Sequence, residues 1–247
     1  MRYFAKIKYL GTDFHGFQVQ PEGRTVQGVL CSTLAEALGV PCRVTGCSRT
    51  DAGVHANEFC IRIDADGATV PADRLPLAVA RFMPTDLCLY YAVECDEKFH
   101  PRYDVISKEY LYRIRNSAVY DPFDLGRAWF VPRKLDGAAI DGMRSAAEHL
   151  VGKRDFSAFM SDGSDTTDTV RNIFYIKIEK NDDLIEIRIC ADGFLYNMVR
   201  IIVGTLVEVG HGRFTPARVK EILDGKVRSA AGPTAPAEGL YLNKVNY

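Results

Sequence analysis

The order of elements written into this sequence predicts an α/β chain of the α+β kind, with a ferredoxin-like unit over residues 1–98. Three observations carry that expectation. Residues 3–9 alternate Tyr3, Ala5, Ile7 and Tyr9 against Phe4, Lys6 and Lys8, the period of a strand with apolar content on both faces. Val26, Leu30, Leu34 and Leu38 recur every fourth residue behind a capping Thr25, and Gly39 ends the run, which marks a helix over 26–38. Phe59, Ile61 and Ile63 alternate with polar residues and form a second strand beside the first.

The remaining elements follow in order. Residues 72–82 read as a helix stopped before Pro84, and residues 88–93 return as a strand, giving the strand-helix-strand-strand-helix-strand order of a ferredoxin-like unit. Around residues 99–104 the first half hands over to a second, 99–247. Residues 105–114 form a strand on which Lys108, Tyr110, Tyr112 and Ile114 share one face, opposite Leu111 and Arg113. A Pro- and Asp-rich loop over 120–132 leads to a helix over 136–150, then to a charged turn, Gly152-Lys153-Arg154-Asp155. Residues 161–169 are polar and read as a mobile loop. Ile176 and Ile178, a turn at Asn181-Asp182-Asp183, and Ile185, Ile187 and Ile189 describe a hairpin. The helix expected after Gly193 is apolar nearly all round and therefore buried, and the tail ends in a strand.

Composition narrows the function classes. At 47% hydrophobic residues the 247-residue chain can bury a sizeable core, but its net charge of −1 supplies no global field for nucleic acid. Any RNA contact has to come from a local basic face. Lys108, Arg113, Arg115, Lys153, Arg154, Arg213, Arg218, Lys220, Lys226 and Arg228 are the candidates. The seven cysteines and five histidines are scattered without a CxxC pair, which argues against a zinc site and for reduced thiols in a cytoplasmic protein. The N-terminus lacks the apolar stretch of a signal peptide, and no run of residues is long and apolar enough to span a bilayer.

The stretch Gly46-Cys47-Ser48-Arg49-Thr50-Asp51-Ala52-Gly53-Val54-His55-Ala56 sets one arginine and one carboxylate among small residues, immediately ahead of a strand. A loop carried by a strand is a common address for a catalytic group. Arg49 lies two residues before Asp51, so on extended backbone both project to the same side. Arg200 and Glu208 are the charged residues of the apolar run 194–209. A buried guanidinium needs a carboxylate or a water-filled cleft. Asp51 is the expected partner; Glu208 or a C-terminal carbonyl is the alternative, and the eight-residue separation of Arg200 and Glu208 makes a direct helical contact poor. The loop over residues 11–20 has two glycines but no Lys-Ser/Thr pair behind Gly16, which excludes a nucleoside triphosphate site.

The run Arg49-Thr50-Asp51-Ala52-Gly53-Val54-His55-Ala56 resembles the signature of the tRNA pseudouridine synthase A family, and similarity extends from Tyr9 to the C-terminus. Phe17 stands where that family usually has Trp; Cys47-Ser48 and Glu238 also depart from its pattern. The resemblance implies two ferredoxin-like/RRM-like halves forming a continuous, mainly antiparallel sheet with helices packed on it, the pseudouridine synthase fold. It implies isomerisation of uridine to pseudouridine in the anticodon stem-loop of tRNA, without cofactor or metal, by a homodimer. Asp51, Tyr110 and Arg200 are then the catalytic residues, and Arg49 and Tyr110 bind the substrate. His55 is structural, because the chemistry needs no imidazole. Two rival readings are a non-catalytic RNA-binding sheet and a glycosidase using Glu58 as a second carboxylate.

Overall fold

A computed structural model of the chain describes residues 1–163 and 166–247. Ser164 and Asp165, inside the polar stretch read as a mobile loop, lie outside the described residues. The chain is mixed α/β, its strands pair mostly antiparallel, and helices pack against them. It divides into two compact units, Met1–Ile106 with Tyr241–Tyr247, and Ser107–Leu240.

The first unit contains β1 (Arg2–Tyr9), α1 (Val26–Leu38), β2 (Arg43–Gly46), β3 (His55–Asp64), α2 (Leu75–Ala80) and β4 (Leu87–Glu94). β1 runs antiparallel to both β3 and β4. The outer edge of β3 is shared: its C-terminal half pairs antiparallel with β2, and its first two residues pair parallel with Tyr241 and Leu242 of the C-terminal strand Leu240–Asn246. The alternation read from the sequence is the packing pattern. Tyr3, Ala5 and Ile7 sit opposite Ile63, Ile61 and Phe59, all fully buried. On the other face of β1, Phe4 meets Phe99 and Tyr247 edge-on, with centroids 5.4 and 5.5 Å away.

Helix α1 has the predicted bounds. Thr25 Oγ1 accepts from Gly28 N, and Gly39 closes the helix at φ 69° in the left-handed region. The second helix is shorter than expected. A 3₁₀ turn, Ala72–Arg74, precedes a six-residue α2. Pro76 is the reason: it has no N–H to give residue 72, and its ring collides with that carbonyl in an α-helical path.

The second unit contains β5 (Ser107–Arg115), β6 (Trp129–Phe130), α3 (Gly137–Glu148), β7 (Gly152–Asp155), β8 (Val170–Asn181), β9 (Leu184–Ala191), α4 (Met198–Gly210) and α5 (Pro216–Gly225). β9 lies between β5 and β8, antiparallel to both. Ile185, Ile187 and Ile189 are fully buried, as their alternation requires. The charged turn expected at 152–155 is an edge strand, β7, paired with β8. Its side chains carry no apolar alternation because an edge strand faces solvent, so the sequence pattern hides it. β8 begins at Val170, well before the alternating isoleucines. α4 starts later than the apolar run, at Met198, because Asn197 takes a left-handed φ of 59°. α5, unread in the sequence, carried a usable signal in Thr215-Pro216: the Thr215 side chain accepts from Arg218 N and Pro216 starts the helix. α3 packs on α4, α5 and β8.

Candidate active site

The motif loop of the first unit is held by its backbone against the loop that follows β1. Phe17 N donates to Thr50 O at 3.0 Å and Gly53 N donates to Phe14 O at 3.3 Å. Two glycines make that approach sterically feasible. A Cβ on Gly11 would lie 2.0 Å from Val54 O, and one on Gly16, at φ 82°, would lie 2.7 Å from Thr50 O. Inside the motif, Val54 N donates to Asp51 O at 3.2 Å and Gly53 takes φ 78°. The buried Thr50 hydroxyl and Tyr9 OH are 2.8 Å apart. Asp51 is thereby fixed half-buried on a short turn, ahead of β3, with the residue before it pinned.

His55 is structural, as the sequence suggested. It is fully buried, its Nδ1 accepts from Gly11 N at 2.9 Å, and its ring stacks on Tyr241 with centroids 4.5 Å apart. Acceptance at Nδ1 leaves the imidazole proton on Nε2. Phe17 is buried and stacks on Phe59 at 4.4 Å, and a Cβ on Gly46 would run into both rings. Arg49 is exposed and makes no hydrogen bond or ion pair among the described residues. Glu58, the second carboxylate of the glycosidase reading, is occupied. It accepts from Lys6 Nζ at 2.9 Å and from Val245 N at 3.2 Å, which removes the reason to cast it as a catalytic acid.

In the second unit, Tyr110 lies on β5 opposite Ile189, buried, its ring edge-on to Phe194 at 5.0 Å. Tyr112 is core, as expected: its OH donates to Pro236 O at 2.8 Å, and burial drives its pKa well above the usual phenol range. Arg200 is half-buried in the first turn of α4. Its Nε donates to Ala235 O at 2.7 Å and its Nη1 to Asn197 Oδ1 at 2.8 Å, while its own carbonyl accepts from Ala235 N. Glu208 is not its partner, because both carboxylate oxygens of Glu208 accept from Arg213. Gly204 admits the 233–235 segment to the helix, since a Cβ there would lie 1.9 Å from Pro233 O. Asn197 is the residue the sequence reading missed. It positions the guanidinium, and its Nδ2 donates to Ser161 Oγ; asparagine ahead of a helix was the available signal.

Many of the candidate phosphate contacts are committed elsewhere. Arg113, Arg115, Arg213, Arg218, Lys220 and Lys226 are paired with Glu186, Asp124, Glu208, Glu221, Asp224 and Asp155. Among the described residues no group of three or more His, Cys, Asp or Glu side chains is arranged to hold a metal ion, and no helix is long and apolar enough to cross a membrane.

Residues 146–247 match a family model described as tRNA pseudouridine synthase. Curated relatives named tRNA pseudouridine synthase A match nearly end to end. One from Thermoanaerobacter sp. (strain X514) is 42% identical over 98% of this chain and 97% of its own length. One from Bacillus pumilus is 41% identical over 100% and 99%, and one from Brevibacillus brevis is 43% identical over 98% and 97%. The chain belongs to the tRNA pseudouridine synthase A family. A solved chain from a Cbf5-Nop10-Gar1 complex overlaps 84% of this chain and 44% of its own at 11% identity and a TM-score of 0.36, too loose a likeness to carry a conclusion.

Proposed function

We propose that this enzyme converts uridine to pseudouridine in the anticodon stem-loop of tRNA, with Asp51 as its catalytic carboxylate. The backbone clamp on Asp51 is the observation that carries the reading. A carboxylate fixed on a glycine-flanked turn, approachable by ligand and steadied by buried hydrogen bonds at Thr50, is organised for attack and not for solvation. The reaction breaks the bond from ribose C1′ to uracil N1 and makes one from C1′ to C5; C5 gives up its proton and N1 takes one up, so the atoms balance. Nothing is oxidised and no water is consumed, so the reaction demands no redox cofactor.

Arg200 is the proposed companion of Asp51. A guanidinium beside a carboxylate favours its ionised form, the form that attacks. The grip of Asn197 and Ala235 on Arg200 keeps that charge in one orientation. Tyr110 offers its ring to the extruded uracil and its phenol to the departing C5 proton. Arg49, exposed two residues before Asp51, fills the space the uridine vacates, offsetting part of an unstacking cost of a few kcal/mol. The enzyme acts in the cytoplasm as a homodimer.

The test is tritium release from tRNA labelled at uridine C5. Wild-type protein releases tritium without freeing uracil, and Asp51→Asn releases none. Full activity in Asp51→Asn would remove the aspartate from the mechanism, and free uracil would replace isomerisation with hydrolysis. Labelled anticodon stem-loop hairpins serve as substrates if the site is assigned correctly; hairpins of the other arms do not.

A further inference from the structure

Beside the motif the first unit has a cavity of about 240 Å³, whose lining includes Gly46 and Arg49 of the motif stretch and His100, Arg102 and Tyr103. Most arginines of this chain are ion-paired or hydrogen-bonded. Arg49 and Arg102 are exceptions: neither guanidinium has a hydrogen bond or carboxylate among the described residues, and no acidic side chain lines the cavity they share. Two unpaired cations around one acid-free hollow repel each other until an anion enters. Such a site suits a phosphate, which guanidinium forks bind bidentately.

The 100–103 part of the lining is built, not merely exposed. His100 Nδ1 accepts from Arg102 N at 3.1 Å and Tyr103 N at 3.3 Å, and His100 N donates to Asp104 Oδ2 at 2.8 Å. These bonds wind residues 100–104 into one turn. The His100 ring lies 4.2 Å from that of Tyr103, and the Arg102 guanidinium sits 6.0 Å from the same ring. Tyr103 is 75% exposed, a large aromatic face held in place but uncovered. A cation pair beside an aromatic platform is the surface that single-stranded nucleic acid recognises through phosphate and stacked base. At most about 7 Å of chain separates Arg49 from Asp51, roughly the reach of one nucleotide.

We infer that this cavity holds the tRNA nucleotide adjacent to the target uridine, its phosphate on Arg102 and its base on Tyr103, beside the Arg49 that enters the vacated stack. The inference rests on the tRNA reading above and adds Arg102 and Tyr103 as positioning residues for the reaction.

Binding of tRNA to Asp51→Asn protein, measured against salt, tests it independently of turnover. Adding Arg102→Gln weakens affinity about tenfold and reduces the slope of log K against log salt by about one; Arg102→Lys restores the slope. Adding Tyr103→Ala weakens affinity with the slope unchanged, and Tyr103→Phe does not. In the otherwise wild-type enzyme Arg102→Gln raises KM and leaves kcat within about twofold. An unchanged slope and KM in Arg102→Gln would overturn the inference, as would a fall in kcat alone. Inorganic phosphate competing with tRNA equally well for the wild-type and Arg102→Gln proteins would place the phosphate contact elsewhere and also overturn it. If Asp51→Asn proved fully active, the catalytic assignment would fail while these binding results could still stand, so the two failures are distinguishable.

Discussion

Gly16 and Gly39 make a matched pair for testing whether the backbone clamp, and not glycine's conformational freedom alone, positions Asp51. Both have positive φ, 82° and 69°. A Cβ on Gly39 meets nothing within 4 Å, so Gly39→Ala bears only the left-handed conformational cost, about 1 kcal/mol. A Cβ on Gly16 would lie 2.7 Å from Thr50 O, about 0.7 Å closer than ordinary contact, against backbone that cannot rotate away. The same carbonyl accepts from Phe17 N, so relief of the clash stretches that bond as well. Overpacking of this kind adds about 1–3 kcal/mol, giving about 2–4 kcal/mol for Gly16→Ala. At 2–4 °C per kcal/mol for a chain of this size, Tm falls by roughly 2–4 °C in Gly39→Ala and by roughly 4–16 °C in Gly16→Ala. Opening the clamp by several tenths of an ångström also moves Asp51, and a displacement near 1 Å costs about a hundredfold in rate. Gly16→Ala should therefore lose about 10- to 100-fold in kcat at a temperature where it remains folded, and Gly39→Ala almost nothing. Calorimetry and tritium release report the two quantities. Equal Tm shifts in the two variants, or full kcat in Gly16→Ala, would refute the clamp.

Three other outcomes follow from the contacts described. Tyr112→Phe removes the bond to Pro236 O and costs about 1 kcal/mol of stability, with kcat unchanged; Tyr110→Ala, two residues away, abolishes turnover while circular dichroism stays native. Asn197→Ala frees one Arg200 donor and forfeits the side chain's tolerance of φ 59°; urea melts lose about 1–3 kcal/mol and kcat falls at least tenfold. Asp155 is held well below the usual carboxylate range, first by Lys226 Nζ at 2.8 Å and then by the Thr169 hydroxyl. A depressed folded-state pKa contributes stability above the unfolded value of about 3.9 and loses it as pH falls from there toward the folded value. Asp155→Asn therefore costs about 1 kcal/mol at pH 7, Lys226 being largely solvent-screened, and the deficit shrinks between pH 4 and pH 2 in denaturant titrations.

The sequence by itself determined the features that depend on local chemistry and on which side of an element meets water. α1 could be bounded to the residue because Thr25 and Gly39 satisfy its orphan backbone groups locally. The strands at β1, β3 and β9 were legible because burial on one face imposes a period of two. Asp51 and Arg49 could be nominated from an unbroken motif, Arg200 from a charge stranded in an apolar run, and Tyr110 from the family resemblance alone. Tertiary structure decided whatever depends on a neighbour remote in sequence. β7 is a strand only because β8 supplies its hydrogen bonds. Gly11, Gly16 and Gly204 are needed only because Val54, Thr50 and Pro233 press against them. Arg102 and Tyr103 line one cavity with Arg49 only because the fold brings their turn to the motif loop. Periodicity and capping are short-range and leave marks in the chain, whereas the space between two backbones is set by the fold as a whole.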